Sequence, residues 1–409
     1  MFHVIPSHQA RPSDDPIFAL NREASQRKER GEAIINATVG ALLNDDGSLA
    51  VLPTAARVVH EVGKEDWAAY APIAGSPQFL RAVMDDVLST EPTLREAAIA
   101  VATPGGSGAL RNAIANYLEP GQALLSTSYF WGPYQTLADE ADRKVATFAM
   151  FKDGSLDIGA LDAAIAQQIN SQGRVLLFLN DPCHNPTGYS MRPAEWKQVA
   201  NCILSHAARA PITLLVDMAY FAYGANDPRA LITELAPLLG KAGLLFAWSA
   251  SKTFTHYGLR VGALIACVAD AKERASTEAA LVYSCRGTWS NCNRGGLAAI
   301  TRLLTDATLA AACNTEREQL KTILLARVAA FNALAPARGL VYPRYEGGFF
   351  VTVFHDDAKA KAMAMKEAGV FVVPQLPPRS GNAIERGALR IALCSVAEKD
   401  VARLVDALV

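Results

Sequence analysis

Between about residues 100 and 270 the chain alternates short apolar runs with amphipathic stretches, and no other feature restricts its fold as much. "GQALLSTS", "RVLLFLND", "PITLLVDMAY" and "GLLFAWSAS" each read as one buried strand. Between them, "PYQTLADEADR", "AEWKQVANCILSHAAR" and "PRALITELAPLLGKA" place apolar residues at helical spacing. A strand that is apolar on both faces needs cover on both, and a crossover helix supplies it. The pattern therefore predicts βαβ units and an α/β fold, with a mostly parallel sheet between helices. Ligands of such sheets bind beyond the carboxyl ends of the strands, so the residues just after each run are the candidates for chemistry.

Beyond residue 300 the pattern changes. "TDATLAAACNTEREQLKTILLARVAAFNAL" reads as one long helix without Pro or Gly. "GGFFVTVF", "GVFVVPQ" and "ALRIALCS" follow as a smaller sheet, with "EKDVARLVDALV" as a closing helix. A chain of 409 residues is too long for one core. The expected division is an N-terminal arm and part of the small domain over 1–48, a large domain over 49–310, and a connecting helix with the C-terminal small domain over 311–409. "IINATVG" is expected to pack with the latter.

Charge narrows the function classes. Lys plus Arg (39) nearly equals Asp plus Glu (40), so no global field favours nucleic acid or a membrane surface. Seven cysteines without a CxxC pair point to a reducing compartment. The N-terminus lacks a signal pattern, and no uninterrupted apolar run approaches the ~18 residues of a membrane span. The expectation is a soluble cytoplasmic protein.

The residues after the strands form a set. "TPGGSGAL" is a glycine-rich turn opening a helix, where backbone N–H groups of Gly105 and Gly106 and the Ser107 hydroxyl suit a phosphate. It matches neither GxGxxG nor GxxxxGK[ST], so no dinucleotide or nucleoside triphosphate is indicated. "NDPCHNPTG" presents Asn185 in a turn, and His184 there reads as a packed or capping histidine. Asp217 ends a run that should be a central strand, where a carboxylate needs a cation, and Tyr220 follows at i+3. "WSASKTFTHYGLRVG" then supplies Ser249, Lys252 and Arg260. One cofactor uses a lysine, a phosphate cradle and a carboxylate together: pyridoxal phosphate, joined to lysine as a Schiff base with its ring nitrogen facing an Asp. The set asks for no metal.

On these motifs, and on "DPIFAL", "INATVGALLNDDG", "YAPIAG", "CRGTWSN", "GGFFV" and "ALRIAL", the chain resembles the class I aminotransferases of fold type I, closest to the aspartate/aromatic group. The resemblance implies pyridoxal 5'-phosphate and ping-pong transamination of an L-amino acid, aspartate/glutamate or aromatic, with a 2-oxo acid such as 2-oxoglutarate. It gives Lys252 the Schiff base and proton shuttle, Asp217 the pyridine nitrogen, and Asn185 and Tyr220 the phenolic oxygen. Gly105, Gly106, Ser107, Ser249 and Arg260 hold the phosphate, and Trp131, with Tyr129 as the alternative, stacks on the ring. Tyr70 implies a homodimer, since in the family this tyrosine reaches the neighbouring subunit's cofactor phosphate. Arg390 clamps the substrate carboxylate, and Val39 with Gly40 closes over the substrate. Arg286 stands where dicarboxylate-specific members carry a distal arginine donated across the dimer, and Asp15 resembles the acid that can neutralise it.

The chain departs from the family pattern at Cys292-Asn293, Tyr134 (usually histidine), Ala68, Ala69 and Thr255-His256. Other carbanion chemistry on the same cofactor, such as β-lyase or decarboxylase, is the nearest alternative. A cofactor-sensing regulator would need a DNA-binding module that the sequence does not show.

Overall fold

The computed structural model describes residues 3–12, 14–225, 227, 229–375 and 386–409. Thus Met1, Phe2 and Ser13 of the expected N-terminal arm, Pro228 at the start of the "PRALITELAPLLGKA" stretch, and residues 376–385 of the expected C-terminal segment lie outside the described residues.

A seven-stranded sheet forms the centre, in the order Ala98–Thr103, Gly262–Cys267, Gly243–Ser249, Ile212–Asp217, Val175–Asn180, Ala123–Thr127, Lys144–Phe148. Gly262–Cys267 runs antiparallel to both its neighbours; the other pairings are parallel. The runs Val175–Asn180, Ile212–Asp217 and Gly262–Cys267 are buried at every position, as continuous apolar runs covered on both faces must be. Helices Gly105–Tyr117, Ile158–Gln172 and Ala271–Thr288 are among those packed around the sheet.

Ile212–Asp217 is the fourth strand of seven, so Asp217 ends the middle of the sheet. Lys252 lies one strand over. Gly243–Ser249 ends, Ser249 caps the short helix Ala250–Thr253 by accepting from the Ser251 amide at 3.2 Å, and the chain turns back into Gly262–Cys267. The turn needs Arg260 in the left-handed region at φ 57°, a conformation uncommon for a residue with a Cβ.

The long helix runs over Ala307–Leu334, capped by Asp306. By length and hydropathy alone the stretch Ala307–Arg338 would suit a bilayer, but it packs on the helices Pro53–Glu61, Arg294–Thr305 and Val401–Leu408. Its fully buried Arg327 donates to the Cys394 and Leu43 carbonyls and to Asp45. Val351–Phe354, Ala388–Ile391 and Val373–Gln375 form a three-stranded antiparallel sheet. Ile35–Asn36 pairs in parallel with Val370–Phe371. A separate apolar cluster, including Ile35, Phe331, Val351, Leu389 and Leu404, lies under these elements.

Candidate active site

The glycine-rich turn is the first turn of a helix. Gly105–Tyr117 begins directly after Pro104, and Gly105 has φ +73°. A Cβ on Gly105 would lie 2.5 Å from Arg260 Nη2, so glycine is what lets the two come together. Arg260 is tied back by its guanidinium to the Tyr257 carbonyl (2.9 Å) and the Pro104 carbonyl (3.3 Å). A helix N-terminus, a guanidinium and the hydroxyls of Ser107 and Ser249 therefore meet on one side of a cavity of about 200 Å³. Trp131, Asn180, Asn185, Asp217, Tyr220 and Lys252 also line it.

Asp217, in the lining of the same cavity, is buried and doubly held. Its Oδ2 accepts from the Tyr134 hydroxyl at 2.7 Å and its Oδ1 from the Ala219 amide at 3.2 Å. Burial raises its pKa above the ordinary carboxylate value, while the Tyr134 hydrogen bond, the Ala219 amide and the charge of Lys252 act against that rise. A carboxylate with this much desolvation is stabilised by a cation brought into the cavity. Lys252 Nζ lies 5.3 Å from the centre of the Tyr220 ring. Burial lowers its pKa below the ordinary lysine value, Asp217 opposes this and Arg260 adds to it. A lowered pKa increases the fraction of nucleophilic free amine near neutrality.

Asn185 donates from Nδ2 to the Tyr220 hydroxyl at 3.3 Å, and its buried Oδ1 has no partner. Burial raises the Tyr220 phenol far above its usual value. Arg390 is 4% exposed and donates from Nη2 to the Thr38 carbonyl at 2.6 Å. Its buried Nε has no partner, and burial pulls its pKa down to about 10. A buried guanidinium with a free N–H is a site prepared for an anion. These unpartnered groups and the glycine cradle fit a phosphorylated, nitrogen-containing ring together with a carboxylate.

The remaining candidates fall elsewhere. Tyr129 packs on Phe151 and Phe354 and donates to the Arg386 carbonyl at 2.8 Å; it is not among the residues lining the cavity, whereas Trp131 is. Gly40 faces Phe350, whose ring lies 4.7 Å from the Arg390 guanidinium carbon. Tyr70 is 86% exposed. Arg286 is exposed near the end of Ala271–Thr288, donating to Ser290 Oγ at 2.6 Å. Asp15 caps the helix Pro16–Glu29, accepting from the Ile17 amide at 2.8 Å, and its charge acts on Arg390 of the same chain. His184 is packed in the turn, with Nδ1 2.8 Å from Thr187 Oγ1.

Sequence reasoning gave no role to Tyr134, Phe350 or Asn180. Asn180 Nδ2 donates to the Asp217 carbonyl at 2.8 Å, and Asn180 Oδ1 accepts from the Asn185 amide at 2.6 Å, so it joins the two. Its place at the end of a strand was the available signal.

The family model described as aminotransferase class I and II matches residues 32–408. An aromatic-amino-acid aminotransferase of Pseudomonas aeruginosa is 32% identical over 250 residues, 59% of this chain and 60% of that protein. A tyrosine aminotransferase of Klebsiella pneumoniae is 26% identical over 94% of this chain and 97% of its own. An aspartate aminotransferase of Pseudomonas aeruginosa is 27% identical over 82% and 85%. A solved aminotransferase of Anaerococcus prevotii superposes with TM-score 0.91 at 30% identity, covering 100% of this chain and 98% of that one. An aromatic-amino-acid aminotransferase of Burkholderia pseudomallei, solved with covalently bound pyridoxal phosphate, has the same fold (TM-score 0.78, 22% identity, 99% of each chain).

Proposed function

Because the chain belongs to the class I and II aminotransferases, we propose that the cavity between Gly105 and Asp217 is the site of its pyridoxal-phosphate-dependent transamination, with Lys252 as the reacting amine. One observation carries this reading: a lysine, a buried carboxylate, an asparagine–tyrosine pair and a glycine–arginine anion cradle surround a single cavity.

Bound pyridoxal phosphate supplies an aldehyde for amines and a ring that withdraws electrons from the substrate Cα. Gly105, Gly106, Ser107, Ser249 and Arg260 would hold its phosphate by backbone N–H, hydroxyl and guanidinium donors. Asp217 would set its carboxylate against the ring nitrogen and favour its protonated form. Asn185 and Tyr220 would donate to the phenolic oxygen, and Trp131 would pack against the ring. Lys252 would hold the cofactor through its Nζ and, as a free amine, would serve as the base for the proton on the substrate Cα. Arg390 grips the α-carboxylate through a planar fork and so fixes the direction of the Cα–H bond. Val39 and Gly40 close over the substrate.

The donor is a dicarboxylic or aromatic amino acid and the acceptor a 2-oxo acid such as 2-oxoglutarate. Relatives named for both donor classes support this range. The proposal includes a homodimer with shared sites: Tyr70 and Arg286 are exposed and do not line this chain's own cavity, as residues serving a partner's site would be. It includes the division into the three segments 1–48, 49–310 and 311–409, supported by the separate apolar cluster, and a cytoplasmic location, supported by seven unpaired cysteines.

The test is a half-reaction. The yellow holoenzyme is mixed with single amino acids, and the loss of its visible absorbance is followed. Rapid bleaching by aspartate, glutamate or aromatic donors with release of the matching 2-oxo acid is expected. An enzyme that binds no pyridoxal phosphate with Lys252 intact would overturn the reading.

A further inference from the structure

Tyr134 stands in the first turn of Pro133–Asp139 and is 1% exposed. Three rings fix it. Phe130 is stacked at 6.2 Å and 7°, Trp131 is edge-on at 5.8 Å, and Phe178 is edge-on at 5.3 Å. With its ring held, its hydroxyl passes over the Val175–Asn180 strand to the end of the neighbouring one and donates to Asp217 Oδ2 at 2.7 Å. The same ring braces Trp131, which lines the cavity.

We propose that Tyr134 is a positioning residue that holds Asp217 aimed at the cofactor's ring nitrogen through a neutral hydroxyl donor fixed by the surrounding rings. The inference rests on the assignment of Asp217 made above. The physical reason is the competition at Asp217. Burial favours the neutral carboxyl, and the Tyr134 hydrogen bond is the largest of the effects opposing it. A histidine in this place would change its charge near neutrality. The Tyr134 phenol, with its pKa driven well above the ordinary value first by burial and then by Asp217, stays a neutral donor. The other titratable groups acting on the pair are Lys252 and Tyr220. Lys252 favours the ionised Asp217, while Tyr220 raises the phenol further. Tyr134 thus couples the wall of the cavity to the charge at its end.

The test uses holoenzyme reconstituted with pyridoxal phosphate labelled with 15N in the ring, whose chemical shift reports protonation of that nitrogen. In wild type the signal is expected to remain that of a protonated nitrogen, without a step, from about pH 6 to 9. Tyr134→Phe should lower the apparent pKa of the ring nitrogen by about one unit or more and raise the cofactor dissociation constant about tenfold, the scale of a hydrogen bond to a charged group. Tyr134→His restores a donor but should add a step between about pH 6 and 7. An unchanged ring-nitrogen pKa in Tyr134→Phe overturns the proposal, since that is the outcome a packing role alone would give. If that variant fails to fold, a flat profile in Tyr134→His overturns it instead. Asp217→Asn separates the two levels. If it leaves the nitrogen protonated, the assignment of Asp217 fails first. If it removes the proton while Tyr134→Phe changes nothing, only the present inference fails.

Discussion

Gly40 faces Phe350 so closely that a Cβ at residue 40 would lie 2.3 Å from Cζ of that ring. The same ring lies 4.7 Å from the Arg390 guanidinium carbon and edge-on to Tyr220 at 5.8 Å. Gly40 thus sets the position of an aromatic wall beside Arg390, the residue proposed to bind the substrate carboxylate. Gly40→Ala is expected to raise KM for every donor about tenfold or more, with a smaller change in kcat, because it disturbs binding common to ground and transition states. Gly40→Ala combined with Phe350→Leu should recover much of the loss, a coupling of at least about 1 kcal/mol in a double-mutant cycle. Additive effects in that cycle would show that the two residues do not act on each other.

Gly105→Ala tests the anion cradle. The new methyl meets Arg260 Nη2 at 2.5 Å, and φ of +73° disfavours a side chain. Strain of roughly 1–3 kcal/mol should appear mainly as weaker cofactor binding, about tenfold or more, because relief requires Arg260 to move. Equilibrium titration of the apoenzyme with pyridoxal phosphate measures it. A dissociation constant equal to that of wild type would remove Arg260 from the phosphate site.

Arg286→Ala separates donor classes. In a closed dimer site, removing one partner of a carboxylate–arginine pair costs roughly 3–5 kcal/mol. The half-reaction kcat/KM for aspartate should fall by at least about a hundredfold, while that for phenylalanine should hold. An equal loss for both would give Arg286 a structural role, consistent with its bond to Ser290 at 2.6 Å.

His184 gives a stability test with a defined sign. Burial holds its imidazole down to about 3 against an ordinary 6.5. The unfolded chain therefore binds a proton that the folded chain does not, and stability present above pH 6.5 is lost as pH falls toward about 3. Buried Asp181 acts oppositely. Its carboxyl is pushed up to about 7, so its stabilisation is lost as pH rises from 3.8 to about 7. Comparing His184→Asn with wild type cancels the Asp181 contribution. The variant's deficit in urea unfolding should shrink by about 2 kcal/mol between pH 7 and 5. A constant deficit would mean that His184 titrates alike in the folded and unfolded chains.

The order of apolar runs was enough to predict an α/β chain with a mostly parallel sheet, because burial on both faces leaves a continuous run that sequence shows directly. The four predicted strands appear as Ala123–Thr127, Val175–Asn180, Ile212–Asp217 and Gly243–Ser249. The strands Ala98–Thr103, Lys144–Phe148 and Gly262–Cys267 were not read. The last of these returns antiparallel through a connection whose only α-helix is the short Ala250–Thr253, where an α/β pattern leads one to expect a full crossover helix. The site's residue types were legible for a related reason: a charged or phosphate-binding group at a strand end conflicts with its apolar surroundings and stands out.

What the sequence by itself determined, then, was the set of chemical groups and their places along the chain. Their partners were decided only by the tertiary structure. The hydroxyl of Tyr134 meets a carboxylate 83 residues away, and the Arg390 guanidinium meets the Thr38 carbonyl 352 residues away. Neither contact has a local sequence period, because each depends on how separate elements cross. Trp131 and Tyr129 show the same limit. Two aromatics two positions apart are equivalent in pattern, and only the packing of Tyr129 against Phe354 and of Trp131 against Tyr134 directs them to different places. Local rules set which groups a strand end offers; packing over long sequence distances sets which of them meet.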